Sequence, residues 1–435
     1  MKTILLAAGL SNRMQPITSK PLLNFLGKPL VVHQVEMLLR HDLNDIVLVC
    51  GKHNIEDLKA VDYPNDANID FALQTDNASG IQGAILSCEE FLNGEDVLIL
   101  NSNDIVEDKA IANILKEYKA TTHDAYITGI KQETYFPGGY LSIDANGIMT
   151  GIIEKPGAGN EPSDLVNIIV HLYRNSSELI EFLKNANSDA DDLYETAMQN
   201  MIKAKKQMLA VSYNGIWQSI KFPWHVKPAF DFFFERAEKY ISDSASISEH
   251  AIVKGDVIIE DGVRIFEGAI VNGPAYIGKD SIIANGSLVR DSHLGAGCIV
   301  GFATEIARSY LGHDVWTHTN YVGDSVLGNN VSFGSGTVTG NLRLDEKNIA
   351  VSIKKKKLDS GQNKLGLITG NNIRVGINTS FMPGVKIGSD CFIGAGIVIA
   401  QDIPAGSFVR GEQSLKISPN RAVASDDRSQ FKKKI

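Results

Sequence analysis

The sequence predicts a Rossmann-like α/β sheet followed by an all-β helix of parallel coils. Two patterns carry this reading. In the first half, short apolar runs alternate with helical patterns: TILLAA (3–8), a helix near 30–40, DIVLVC (45–50), DFALQ (70–74), a helix near 79–92 and DVLILNSND (96–104). Strand, helix and strand at this spacing give a parallel sheet with helices on both faces. In the second half an aliphatic residue falls at every sixth position: Ile247, Val253, Ile259, Ile265, Val271, Ile277, Ile283 and Val289. A smaller beat follows each by four: Ala251, Val257, Val263, Ala269, Ala275, Ser281 and Ser287. No helix has a period of six and an ordinary strand alternates by two, whereas each hexapeptide of a β-helix forms one side of a coil. Stacked coils share hydrogen bonds along the axis and one continuous core.

A chain of 435 residues is too long for one core. Residues 1–225 are expected to form the first domain, and VKPAFDFFFERAEKYI (226–241) reads as an amphipathic helix within a linker, 226–246. The ladder then occupies 247–410. It shortens by one residue at Leu294, resumes at Val300 and Ile306, and continues less regularly through Leu327 and Phe333. A non-repeating basic excursion at about 341–366 interrupts it before Val375, Phe381, Ile387, Ile393 and Ile399. Residues 411–435 read as a mobile basic tail.

Charged residues are 21%, hydrophobic ones 43% and the net charge is −9, so a soluble chain with no general nucleic-acid surface is expected. Cys50, Cys88, Cys298 and Cys391 form no CxxC pair, which argues against a disulfide framework or a zinc site. The opening MKTILLAAG has an apolar run about half the length of a secretory signal. No stretch is long enough to span a bilayer, so no membrane partner and a cytoplasmic location are expected.

Ligands of such sheets bind outside the carboxyl ends of the strands, where Leu6, Ala8, Gly9, Gln74 and Asp104 lie. The loop AAGLSNRMQPITSKPLL is neither GxGxxG nor a P-loop, since Pro29 follows Gly27-Lys28. It offers a small-residue turn, Arg13 and Lys20. Two cations there suit a polyphosphate whose charge grows at the leaving group; they equally fit a turn with two solvated cations.

LAAGLSNRMQPITSKPLLNFLGKPL resembles the signature loop of the sugar-1-phosphate nucleotidyltransferase family. The resemblance implies that small residues hold the base and that Arg13 and Lys20 grip the triphosphate. It places Gln74 and Gly80 against the base, Asp104 on Mg²⁺, Gly139, Glu154 and Lys155 on the sugar-phosphate side, and Asn167 against the sugar. The reaction implied is in-line attack by a sugar-1-phosphate oxygen on the α-phosphorus of a nucleoside triphosphate, which needs positioning and charge neutralisation more than a protein nucleophile. Two departures stand out. GLSNR replaces the commoner Gly-x-Gly-Thr-Arg, and WQSIKFPWHV (217–226) carries Ser219 where relatives tend to hold a second metal-binding Asp or Asn. A hydroxyl is a poorer ligand for a hard cation, so a raised Mg²⁺ requirement is expected.

The six-residue beat resembles the left-handed β-helix of acyltransferases, an exception to right-handed crossovers. Such helices also serve only as oligomerisation posts. THTNYVGDSVLGNNVSFGSGTVTGNLRLDEK (317–347) resembles the acetyltransferase half of bifunctional N-acetylglucosamine-1-phosphate uridylyltransferase / glucosamine-1-phosphate acetyltransferases. On that resemblance His318 is the general base, a role suited to imidazole. Arg290 and Lys347 meet the sugar phosphate, and Tyr321 and Asn341 orient the substrate. His318 also fits a coil corner satisfied by backbone. Glu305-Ile306-Ala307 lacks the substrate lysine of longer members, Arg308 stands next along, and Ser332 replaces an Asn. Lysines 354–357 read first as a solvated run and second as a counter-charge for coenzyme A.

Three readings follow. The first is a bifunctional enzyme making UDP-N-acetylglucosamine with acetyl-CoA, UTP and Mg²⁺, assembled as a trimer through the β-helix. The second is a nucleotidyltransferase for another hexose-1-phosphate with UTP or dTTP, its ladder only a post. The third is a non-catalytic regulatory subunit that binds sugar nucleotides.

Overall fold

A computed structural model of the chain describes all residues except 76–79, 191, 413, 422–427 and 434–435, so part of the expected tail lies outside the described residues. The first half forms one mixed sheet. Its strands run in the order Met149–Glu154, Gly139–Ile143, Leu165–Tyr173, Val97–Asn101, Lys2–Leu6, Asp45–Gly51, Asn68–Gln74. The last four are parallel. Leu165–Tyr173 runs antiparallel to Val97–Asn101 and also pairs with Ala125–Lys131, which Met208–Tyr213 joins in parallel. Alternate residues of the parallel strands feed separate apolar layers: Ile4, Val47 and Val49 on one face, Leu5, Ile46 and Leu48 on the other. The strand order reverses between Lys2–Leu6 and Val97–Asn101, which opens a crevice at their carboxyl ends.

Two elements differ from the sequence reading. The run 96–104 is not one strand. It leaves the sheet after Asn101 and turns at Ser102 and Asn103, the Ser102 amide and hydroxyl both donating to the Leu6 carbonyl, at 3.1 and 2.7 Å. Asp104–Val106 then pairs with Trp217–Ser219 in a separate antiparallel ladder that sets Ser219 opposite Asp104. The helix expected to reach 241 covers Val226–Arg236. Its freed carbonyls at Phe234 and Ala237 accept from the Lys239 ammonium, and the chain turns extended at Ala237. Tyr240–Ile241 consequently forms the first β-helix strand, pairing with Ile258–Ile259.

The second half is the left-handed β-helix. Ile252 pairs with Ile270 and Ile270 with Leu288, coils of 18 residues or three hexapeptides. The spacing shortens to 17 between Ser292 and Ser309 and to 16 between Ser309 and Ser325, then lengthens to 42 between Asn330 and Asn372. The excursion has order of its own: Ala350–Ile353 and Lys356–Asp359 form an antiparallel hairpin whose turn exposes Lys354–Lys357. Its Ile349, Val351 and Ile353 pack on Leu365, Ile368 and Trp224. From Ile259 to Ile399 the aliphatic beat lies in one cluster, with Ile247 and Val253 packed on its end. Ser281 and Ser287 occur on the small beat because their buried hydroxyls donate to Gly295 and Gly301 of the next coil, at 3.1 and 2.7 Å. Among the described residues no helix is long and apolar enough to cross a membrane.

The two halves share a core. Met14, Leu23 and Phe25 of the loop after the first strand, Ile105, Ile220 and Phe230 pack with Ile258, Tyr276, Tyr310 and Val326 of the coils. The Tyr310 hydroxyl accepts from the Asn24 amide at 3.2 Å and donates to the Asn24 carbonyl at 2.9 Å.

Because Ile283 is fully buried in a column with no slack, Ile283→Ala is expected to cost about 2–5 kcal/mol and Ile283→Val about 0.5–1.5 kcal/mol. Thermal melts of the two variants beside the parent check the order.

Candidate active sites

The loop after the first strand hangs from buried anchors rather than from its polar residues. Leu6 and Ala8 are buried, Asn54 ties the Ala7 carbonyl at 3.0 Å, and Met14 is fully buried. Gly9 and Arg13 are exposed at the crevice, and a Cβ built on Gly9 meets nothing. Lys20 donates to the Ile220 carbonyl at 3.1 Å. Burial pushes its ammonium down to about 8, aided by Arg13 and opposed by Asp104. The nearly buried Asp104 carboxylate accepts from Asn101 Nδ2 at 3.1 Å, while Gln34 holds its backbone carbonyl at 3.3 Å. Across the crevice Gln74 donates to the Gly80 carbonyl at 2.9 Å, where helix Gly80–Leu86 begins.

A second wall comes from the antiparallel half of the sheet. Gly139 pairs with Glu154, and a side chain at Gly139 would approach Glu154 Oε2 to 3.2 Å and Asn167 Cβ to 3.5 Å. Lys155 meets Glu154 at 2.8 Å. Asn167 is oriented from behind: His171 Nε2 lies 2.7 Å from its Oδ1, His171 Nδ1 lies 2.7 Å from the Tyr194 hydroxyl, and Tyr194 meets Tyr173 at 2.9 Å. Burial lowers His171 to about 3, so its ring is neutral. The network assigns Nε2–H as donor to Asn167 and leaves the Asn167 amide hydrogens for a ligand.

The β-helix presents a second constellation on successive coils. Arg290, Ala307 and Gly323 stack in one column, beside Glu305 on Tyr321. Arg290 donates twice to Glu305, at 3.0 and 2.7 Å. Arg308 grips Asp324 with two bonds of 2.7 Å, which raises the guanidinium further. Asn341 donates to Asp324 and, at 3.1 Å, to the Tyr321 hydroxyl. A Cβ at Gly323 would meet the Tyr321 hydroxyl and lie 2.8 Å from Asn341 Nδ2, so a side chain there would displace both groups. Exposed His318 stands at a coil corner, its amide held by Asn320. Among the described residues neither the His318 ring nor the exposed Lys347 ammonium bonds to this network. Ser332 lies on another face, between Trp316 and Arg374.

With this geometry in place, comparison with known proteins is decisive. A family model described as nucleotidyl transferase matches residues 2–220. The "Bifunctional protein GlmU" of Methanocaldococcus jannaschii is 33% identical over 94% of this chain and 97% of its own length. The chain belongs to the GlmU family. A "Bifunctional sugar-1-phosphate nucleotidylyltransferase/acetyltransferase" of Sulfurisphaera tokodaii is 32% identical, covering 94% of this chain and all of that one. The GlmU protein of Methanococcus maripaludis strain C5 is 34% identical, covering 97% of this chain and all of its own. As a GlmU-type chain it is an enzyme, which removes the non-catalytic regulatory reading.

Three residues of this GlmU-type chain escaped sequence reasoning. Lys221 lies within electrostatic reach of Asp104, Arg13, Glu154 and Lys155, and burial lowers it to about 8. Its only sequence signal is a lysine two places after Ser219. Lys364 lies near the end of the excursion, bridges to Leu342 beside Asn341 and lines a cavity of about 250 Å³ with Asp324 and Arg308. An inserted hairpin makes that proximity invisible in the sequence. Glu195 is raised to about 7 by burial and then by Glu154; a single glutamate in a helix gives no signal.

A carboxyl whose folded value exceeds its unfolded one favours the fold below its unfolded value of about 4.5, and that advantage is lost as pH rises toward 7. Glu195→Gln is therefore expected to raise the melting temperature at pH 8, by the equivalent of about 2 kcal/mol, and to leave it unchanged at pH 4. Melts at the two pH values check the sign.

Proposed function

We propose that the α/β part transfers a uridylyl group from UTP to N-acetylglucosamine-1-phosphate and that the β-helix acetylates glucosamine-1-phosphate from acetyl-CoA. The observation that carries the first step is the meeting of two walls at one crevice. Lys20 and Asp104 stand on one, and Glu154, Lys155 and the pre-oriented Asn167 on the other. A sugar-phosphate oxygen attacks the α-phosphorus, the bond to the bridging oxygen breaks, and pyrophosphate leaves. Arg13 and Lys20 bind the triphosphate and steady the departing charge. Mg²⁺ fits a donor set of Asp104, with the Ser219 hydroxyl opposite it, substrate phosphates and water; bound there, it would neutralise phosphate charge.

In the β-helix, His318 takes the proton of the amine as that amine attacks the thioester, and coenzyme A leaves as the thiol. Tyr321 and Asn341 orient the sugar. Arg290, with Lys347 or Lys364, meets its phosphate. One chain supplies an open half-site, with His318 at an exposed corner. Exposed Phe302, Trp316, Phe392 and Phe408 add apolar surface to the coils. Both features support assembly through the β-helix as a trimer whose partners close the cleft.

The nucleotidyltransferase-only reading draws on Ala307 and on the Arg308–Asp324 pair, which occupies charges a substrate phosphate would use. One incubation with glucosamine-1-phosphate, acetyl-CoA, UTP and Mg²⁺ separates the two, following free thiol and pyrophosphate independently. His318→Ala should lower thiol release by about 10²-fold or more and leave pyrophosphate release from supplied N-acetylglucosamine-1-phosphate unchanged. Pyrophosphate without thiol in the parent chain selects the second reading.

A further inference from the structure

Lys221 is fixed from both sides of the crevice. Ser219, two residues earlier, faces Asp104. The Ile220 amide donates to the Asn103 carbonyl at 3.0 Å, and the Ile220 carbonyl takes the Lys20 ammonium at 3.1 Å. His225 Nδ1 donates to the Ser219 carbonyl at 2.7 Å, bracing the same segment from its other end. Its backbone is thereby pinned between the Asp104 strand and the first loop.

The side chain crosses to the opposite wall. Its Nζ lies 3.7 Å from the centre of the Phe136 ring and 3.4 Å from the Pro137 carbonyl. Phe136 is itself packed on Trp217 at 4.6 Å. The next residues lead into Gly139, and the Gly138 carbonyl accepts from the Lys155 amide at 3.1 Å. Lys221 thus ties the loop that builds the Gly139–Glu154–Lys155 wall to the strand that faces Asp104. Among the described residues its ammonium has no carboxylate within ion-pair distance, although Asp104 and Arg13 act on it from one side and Glu154 and Lys155 from the other. A desolvated ammonium held only by an aromatic face and a carbonyl keeps its charge without spending it on a protein anion. It stands at the seam between the walls.

We propose that Lys221 is a phosphate-binding catalytic residue whose ammonium contacts the α-phosphoryl group as it passes from the nucleoside triphosphate to the sugar-1-phosphate. This rests on the nucleotidyl-transfer reading above. In the step, a sugar-phosphate oxyanion forms the new bond to the α-phosphorus. The bond from that phosphorus to the α,β-bridging oxygen breaks, and its electron pair leaves with pyrophosphate. Lys221 keeps its proton throughout and neutralises charge on the non-bridging oxygens. It supplies, at a fixed point of the chain, positive charge beside a position where Ser219 offers no carboxylate to hold a cation.

The test uses the full-length chain at saturating Mg²⁺, with pyrophosphate release measured against UTP and N-acetylglucosamine-1-phosphate for the parent, Lys221→Met and Lys221→Arg. Lys221→Met should lower kcat by about 10²-fold, leave both KM values within about threefold, and keep the melting temperature within about 2 °C. Lys221→Arg, which retains the charge, should recover about tenfold of the loss. An active parent whose Lys221→Met variant keeps more than half its kcat overturns the role of Lys221 alone. So does equal loss in both variants with a falling melting temperature, since that marks a packing role. A parent that releases no pyrophosphate overturns the nucleotidyl-transfer reading and the role of Lys221 with it.

Discussion

The structure depends on an aromatic stack in which His293 is clamped between Tyr276 and Tyr310. The three rings belong to successive coils, with centroids 4.8 and 4.7 Å apart and planes within 21° and 11°. Burial drives the imidazole down to about 3, so it stacks as a neutral ring and presents no charge to the core. Phe230 meets it edge-on at 5.4 Å, and Phe25 lies 5.8 Å from Tyr310. Phe25 belongs to the loop that carries Arg13 and Lys20, and Phe230 to the linking helix. Ile105 and Ile220 of the same cluster are neighbours of Asp104 and Lys221. The crevice residues of the first half are thus mounted on the flank of the second.

The linking segment extends the same logic toward the β-helix constellation. Phe222 stacks on Trp224 at 4.7 Å, and Trp224 packs on the hairpin inserted in the long coil. Trp224 also lines the cavity with Arg308, Asp324 and Lys364. A few residues, from Lys221 to Lys227, therefore touch both constellations. The Lys227 ammonium closes the contact by bonding Asp231 and Asp291 at 2.6 and 2.8 Å. The gain is rigidity rather than area, because the aromatic anchors Phe222 and Trp224 have few accessible rotamers.

The β-helix was legible in the sequence because its period of six is unique to that architecture and its core residues are the beat itself. The parallel sheet was legible because both of its faces are covered, so its strands read as continuous apolar runs. What could not be read was whatever depends on contacts between distant segments. A run that looks unbroken turns at Ser102, because Asp104–Val106 pairs instead with the distant Trp217–Ser219. Lys239 ends a helix whose pattern continues past it. The candidate residues of the first crevice follow an ordered set of motifs, whereas Lys221 belongs to none and meets Phe136 and Pro137 only through the fold. Lys347 rests on the resemblance of residues 317–347, and the inserted hairpin brings Lys364 beside Asn341 as well.

The central claim is that the first-half crevice is held in shape by the coils. Hydrogen exchange on the Tyr310→Ala chain tests it most directly, because that change removes the stacking partner of His293 and both bonds to Asn24. Faster exchange across residues 9–26 and 102–106, with strand Asp45–Gly51 unaffected, is the result predicted by local loosening of that mount. Exchange that changes only in the coils flanking residue 310 would contradict it.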